Sequence, residues 1–131
     1  MKAAFFDFFN IPKPEFTEIL ADNLSSSAVA AFFTISATCV IGPIFEEIVF
    51  RGILYKRIVQ SRVGPLGAIV LPSIIFSLAH LQYSEPLIFI FIFISGCLLS
   101  WIRHITGNLW YSIALHCFWN SLVFIDIAYF D

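Results

Sequence analysis

The chain has 131 residues, of which 60% are hydrophobic and 12% charged, with 16 phenylalanines, a mean hydropathy of +0.91 and a formal net charge of −2. Soluble domains are about 25% charged, so this composition excludes a water-soluble globule, a disordered chain and a coiled coil, and without a cationic tract it excludes nucleic acid as a partner. At about 20 residues per helical span, it describes one all-α polytopic membrane bundle of about four transmembrane helices.

Residues 1–26 form the polar part, with Lys2 and Lys13 beside Asp7, Glu15, Glu18 and Asp22. Asp7, Pro12 and Pro14 break its apolar run, so it is not a signal peptide. Phe5, Phe6, Phe8 and Phe9, then Phe16, Ile19, Leu20 and Leu24, recur at helical spacing opposite the acids. This predicts a leader of two amphipathic stretches on the membrane surface, or one whose Phe side chains pack on the bundle. Residues 27–131 then read as a four-helix transmembrane core.

Ser25, Ser26 and Ser27 supply a helix cap, and span one runs from Ala28 to about Ile58, longer than a bilayer and interrupted by Gly42 and Pro43. Proline within a spanning helix leaves carbonyls without donors. After a basic loop, Gly64 and Pro65 open span two, which runs to about Leu81 with Pro72 inside it. Span three, Leu87 to about Ile102, is a run of Ile, Phe and Leu that reads as lipid-facing or packed hydrophobe. The turn Arg103 to Asn108 leads to span four, Leu109 to about Phe130, with Trp110, Tyr111 and Tyr129 at its interfacial ends.

Arg51, Lys56, Arg57 and Arg62 lead from span one into span two, and Arg103 follows span three, whereas Glu85 and Asp131 lie at the other connections. The positive-inside bias makes this a multi-pass cell-membrane protein with cytoplasmic basic loops and external termini. Cys39, Cys97 and Cys117 lie within apolar spans without ligand spacing and read as small buried thiols.

An ionisable group at membrane depth costs about 2.5–3.5 kcal/mol, so Glu46, Glu47, Arg51, His80, His116 and Asp126 are candidate site residues. Glu47 and Arg51 stand in the favourable i, i+4 order for an ion pair. Glu46, about 100° around the helix from Glu47, points toward another span. Either Glu can instead snorkel to the interface. His80, one turn after Phe76, reads on its own as an interfacial histidine. His116 and Asn120 share a face of span four, suited to a ligand or an oxyanion, or to joining helices by hydrogen bonds. No GxSxG or HExxH motif is present. A carboxylate with two histidines can activate water directly or bind zinc as a two-His, one-Glu set.

Glu46-Glu47-Ile-Val-Phe-Arg51, Phe76-Ser-Leu-Ala-His80 and His116-Cys-Phe-Trp-Asn120 resemble, in order and spacing, the EExxxR, FxxxH and HxxxN motifs of the CAAX-protease and bacteriocin-processing (CPBP, or Abi) intramembrane endopeptidases. Pro43, Gly52 and the stretch Thr106-Gly107-Asn108-Leu109-Trp110 agree with the same family. The resemblance implies that Glu46 and His80 activate the water that attacks a peptide carbonyl. It also implies that His116 and Asn120 stabilise the oxyanion and that Glu47 and Arg51 brace the site. The family is often labelled metalloprotease; a metal-free, glutamate-dependent mechanism is favoured here, with zinc on Glu46, His80 and His116 as the alternative. Larger members carry spans before the core, which points to a compact prokaryotic member, to a homo-oligomer that completes its bundle, or to an inactive fragment. The expected partners are a peptide or protein substrate and the lipid bilayer. The competing function is a catalytically silent bacteriocin-immunity or scaffold protein binding a peptide in the same cavity; a proton or ion pathway through the buried Glu and His is a third.

Overall fold

The computed structural model describes residues 15–80 and 85–130. The Phe5 to Phe9 stretch, Lys2, Lys13, Asp131 and the Tyr129 side chain, on which expectations were placed, lie outside the described residues. Every element described is helical: α1 (Glu15–Ser26), α2 (Ala28–Val59), α3 (Gly64–Leu78), α4 (Pro86–Thr106) and α5 (Leu109–Phe130).

Local chemistry sets the boundaries. Ser27 is the N-cap of α2, extended at φ −166° and ψ 157°, and its hydroxyl accepts from the Ala30 amide at 3.1 Å. The helix then continues for 32 residues, about 48 Å at 1.5 Å per residue, against a hydrocarbon core of about 30 Å. Two stretches widen to π geometry, Ala37–Ile41 and Ile48–Leu54. The first is explained by its sequence. The Gly42 amide reaches back five residues to the Ala37 carbonyl, and Pro43 has no amide to donate, so the Thr38 carbonyl is left without a donor in its own helix.

α3 ends at Leu78, earlier than the expected Leu81, and Ala79 and His80 form the turn beyond it. α4 begins on Pro86 and runs a turn further than the expected Ile102. Arg103 and His104 sit in that last turn, where cations complement the helix dipole. Gly107 then stops the helix in the left-handed region, φ 66°, with its amide on the Arg103 carbonyl. The Asn108 side chain accepts from the Trp110 amide at 3.0 Å and starts α5.

α3 and α4 form the most extensive helix pair, packed on the C-terminal half of α2. α5 lies against the middle of α2 and against α4. α1 closes the other end, where Leu20 and Leu24 meet Cys39 of α2 and Phe124 of α5. The pattern is apolar outside and polar inside. Phe32, Phe33, Phe45, Leu66 and Trp110 are each at least 65% exposed, whereas Glu47, Arg51, Ser73, Ser100 and Ser112 are fully buried. A surface of this kind is stable only in lipid, and α2 and α4 are each long and apolar enough to cross a membrane. Cys39, Cys97 and Cys117 are free thiols, Cys39 buried among hydrophobes.

Ser27→Ala removes the one side-chain cap of α2 without touching the interior. An unfolding titration in micelles should read a loss of about 1 kcal/mol, with helix content otherwise unchanged.

Candidate active site

The π stretch Ile48–Leu54 follows the carboxylate pair, and α2 turns Glu47 and Arg51 inward together. Arg51 Nη1 donates to Glu47 Oε1 at 2.8 Å, with both side chains 0% exposed. The expected i, i+4 pair is therefore present, in the bundle interior and not at the interface.

The same oxygen has a second donor. His116 Nδ1 of α5 lies 2.9 Å from Glu47 Oε1. A carboxylate oxygen only accepts, so Nδ1 is the protonated ring nitrogen and Nε2 faces the other way. There it meets Glu46, whose Oε2 is 3.7 Å from Nε2, too long for a direct hydrogen bond. Adjacent residues thus hold opposite environments: the Glu47 side chain is sealed, whereas that of Glu46 is 31% exposed. Glu47 Oε2 is buried without a hydrogen-bond partner among the described residues, so all of that carboxylate's bonds converge on one oxygen.

Phe76 of α3 joins the remaining pieces. Its ring lies 4.6 Å under the Arg51 guanidinium, stacks edge-on to Phe50, and stands 4.7 Å from the His80 ring and 5.8 Å from that of His116, between centroids. Its carbonyl accepts from His80 Nδ1 at 2.8 Å, which fixes His80 as the Nδ1–H tautomer and leaves Nε2 the basic nitrogen. The aromatic residue of the second motif is therefore the contact shared by both histidines and the arginine.

Asn120 faces α2, as His116 does, but a different part of it. Its Nδ2 donates at 3.1 Å to the Thr38 carbonyl, the acceptor that Gly42 and Pro43 leave without a donor in α2. The interhelical-bond alternative for Asn120 is thus realised, and a carboxamide NH2 retains a second hydrogen. Asp126 lies on α5 about 15 Å beyond His116, at 1.5 Å per residue, outside this cluster.

The sequence reading missed Gly96 and Ser100 of α4. Arg51 Nη2 donates to the Gly96 carbonyl at 2.9 Å, and Arg51 Nε to Ser100 Oγ at 3.3 Å. A signal for them existed: small residues four apart, Gly96 and Ser100, in a helix otherwise rich in Ile, Phe and Leu mark a close helix approach. As for zinc, no three His, Cys, Asp or Glu side chains among the described residues are gathered to hold an ion.

Comparison with known proteins gives one finding. The family model for type II CAAX prenyl endopeptidases, Rce1-like, matches residues 28–122. No curated protein matches the chain, and no solved structure does.

Breaking the buried pair should be far more harmful than replacing it. Arg51→Met strands the Glu47 carboxylate and is expected to lower the unfolding free energy by about 3–5 kcal/mol, whereas Glu47→Gln/Arg51→Met should recover most of that loss. Equal destabilisation of the single and double variants in the same unfolding titration would contradict a charge-specific cause.

Proposed function

The chain belongs to the Rce1-like family of type II CAAX prenyl endopeptidases, and from that premise we propose that it is an intramembrane endopeptidase in which Glu46 is the general base. The observation that carries this reading is the contrast between neighbouring carboxylates. Glu47 is sealed and doubly hydrogen-bonded, while Glu46 is partly open and faces the free nitrogen of His116.

In the proposed reaction a water beside Glu46 loses a proton to that carboxylate as its oxygen bonds to the peptide carbonyl carbon. His80, held by the Phe76 carbonyl, takes the water's other hydrogen as a hydrogen bond at Nε2. The carbonyl π electrons move to oxygen, where the second N–H of Asn120 donates to the oxyanion and the His116 ring, facing Glu46, lies beside it. The C–N bond then breaks, its electron pair goes to nitrogen, and the proton held by Glu46 completes the leaving amine. Glu47 and Arg51 touch no reacting atom and hold the His116 ring. No step is routed through a metal.

The substrate class is a peptide presented at the membrane, and the prenyl group of CAAX proteins is not required by any residue described above. The proposed topology has four spans with the basic connections in the cytoplasm. It is supported by Lys56, Arg57 and Arg62, at the end of α2 and in the connection to α3, and by Arg103 at the end of α4. A Ser61→Cys variant should react with a membrane-impermeant maleimide only after cells are permeabilised; labelling of intact cells would reverse the orientation.

Glu46→Gln keeps the shape and removes the base. Cleavage of a peptide substrate by the purified protein should fall about 10²–10⁴-fold, with the unfolding transition unmoved. Wild-type rates in Glu46→Gln would overturn Glu46 as the base, whereas protection of cells that persists in both Glu46→Gln and His116→Ala would favour the competing reading, a silent peptide-binding or immunity protein.

A further inference from the structure

We propose that Gly96 and Ser100 of α4, a helix without any of the three motifs, are positioning residues for the hydrolytic site: they anchor Arg51, through it Glu47, and thereby the ring orientation of His116. This rests on the hydrolase reading above for its consequence in turnover, but not for its geometry.

A guanidinium presents a planar fork of five N–H donors, and three of its nitrogens are accounted for. Nη1 goes to Glu47, Nη2 to the Gly96 carbonyl and Nε to Ser100 Oγ, while the ring of Phe76 covers one face. Ser100 is held in turn at 3.5 Å from Ser73 Oγ of α3, and Ser73 is tied to the Ile69 carbonyl at 2.6 Å. Two bonds from α4 thus fix the far edge of the fork and leave its near edge one direction in which to meet Glu47. Because Glu47 Oε1 also takes the His116 proton, the position of Arg51 becomes the position of the imidazole.

Glycine is needed at 96 for room. A Cβ there would stand 3.1 Å from Ser73 Cβ, 3.3 Å from Arg51 Nη2 and 3.3 Å from Phe76 Cδ1. The two residues act differently: Gly96 lets the fork come close, and Ser100 orients it. Ser100→Ala therefore removes one bond and little volume, whereas Gly96→Ala pushes on the guanidinium and on Phe76 together.

The test uses the full chain in lipid nanodiscs with ¹⁵N-labelled histidine, whose three residues, His80, His104 and His116, can be assigned by single substitutions. In the wild type, His116 should give a fixed Nδ1–H signature. In Ser100→Ala and in Gly96→Ala that signature should move toward a tautomer average, while His104, hydrogen-bonded to the Tyr55 hydroxyl at 2.8 Å, stays unchanged as the control. In turnover, kcat should fall about 10- to 100-fold at constant KM, as expected for a small misplacement of a reacting group. A His116 signal identical to wild type in Ser100→Ala overturns the inference, whether or not Gly96→Ala folds. If the wild type cleaves nothing while the His116 signal still moves, the hydrolase reading fails and the positioning role stands.

Discussion

A carboxylate that is fully out of water must be matched by donors, and in this protein that carboxylate is Glu47. Removing an ion from water costs several kcal/mol even after relaxation, and the bundle offers Glu47 two donors on one oxygen, from Arg51 and from His116. Arg51 is equally buried and needs its own acceptors, which come from Glu47, Gly96 and Ser100. Meeting these requirements draws three helices together, since Arg51 and Glu47 lie on α2, Gly96 and Ser100 on α4 and His116 on α5. Phe76 brings in the fourth, α3, beneath the guanidinium. The polar interior is thus both what joins the helices and what orients the reactive side chains.

The same constraint separates the two glutamates. One residue of rotation about α2 moves a carboxylate from a sealed, bonded position to one that is partly open, and in the proposed reaction the roles divide accordingly. Glu47 holds and Glu46 is left available. A related logic operates about one turn earlier on α2, where the proline that deprives the helix of an amide creates the acceptor that Asn120 fills. A defect in one helix becomes an attachment for another.

Most of this could be read along the chain wherever the controlling distance was short. The Ser27 cap, the Glu47 and Arg51 pair, the donorless carbonyl expected from Pro43 and the common direction of His116 and Asn120 all depend on neighbours within a turn or so. The membership in a protease family and the helical membrane bundle were legible for the same reason, since motifs and hydropathy are local. What escaped was decided across the fold. Arg51 reaches Gly96 and Ser100 over 45 and 49 residues, and Asn120 reaches Thr38 over 82. Periodicity does not say which carbonyl a distant side chain will meet. Span three looked featureless because its informative residues are small, and a small side chain announces itself only by what comes close to it. The early end of α3 at Leu78 and the second π stretch had no local signal that we can identify.

The central claim is that one oxygen of Glu47 couples Arg51 to His116, two residues from different helices that share that acceptor. A double-mutant cycle of Arg51→Met and His116→Phe, read by unfolding in micelles, measures this directly. The two changes are expected to be non-additive by about 1 kcal/mol or more, with the coupling lost in a Glu47→Leu background. Additive effects in the Glu47 background would contradict a shared carboxylate as the link on which the site is built.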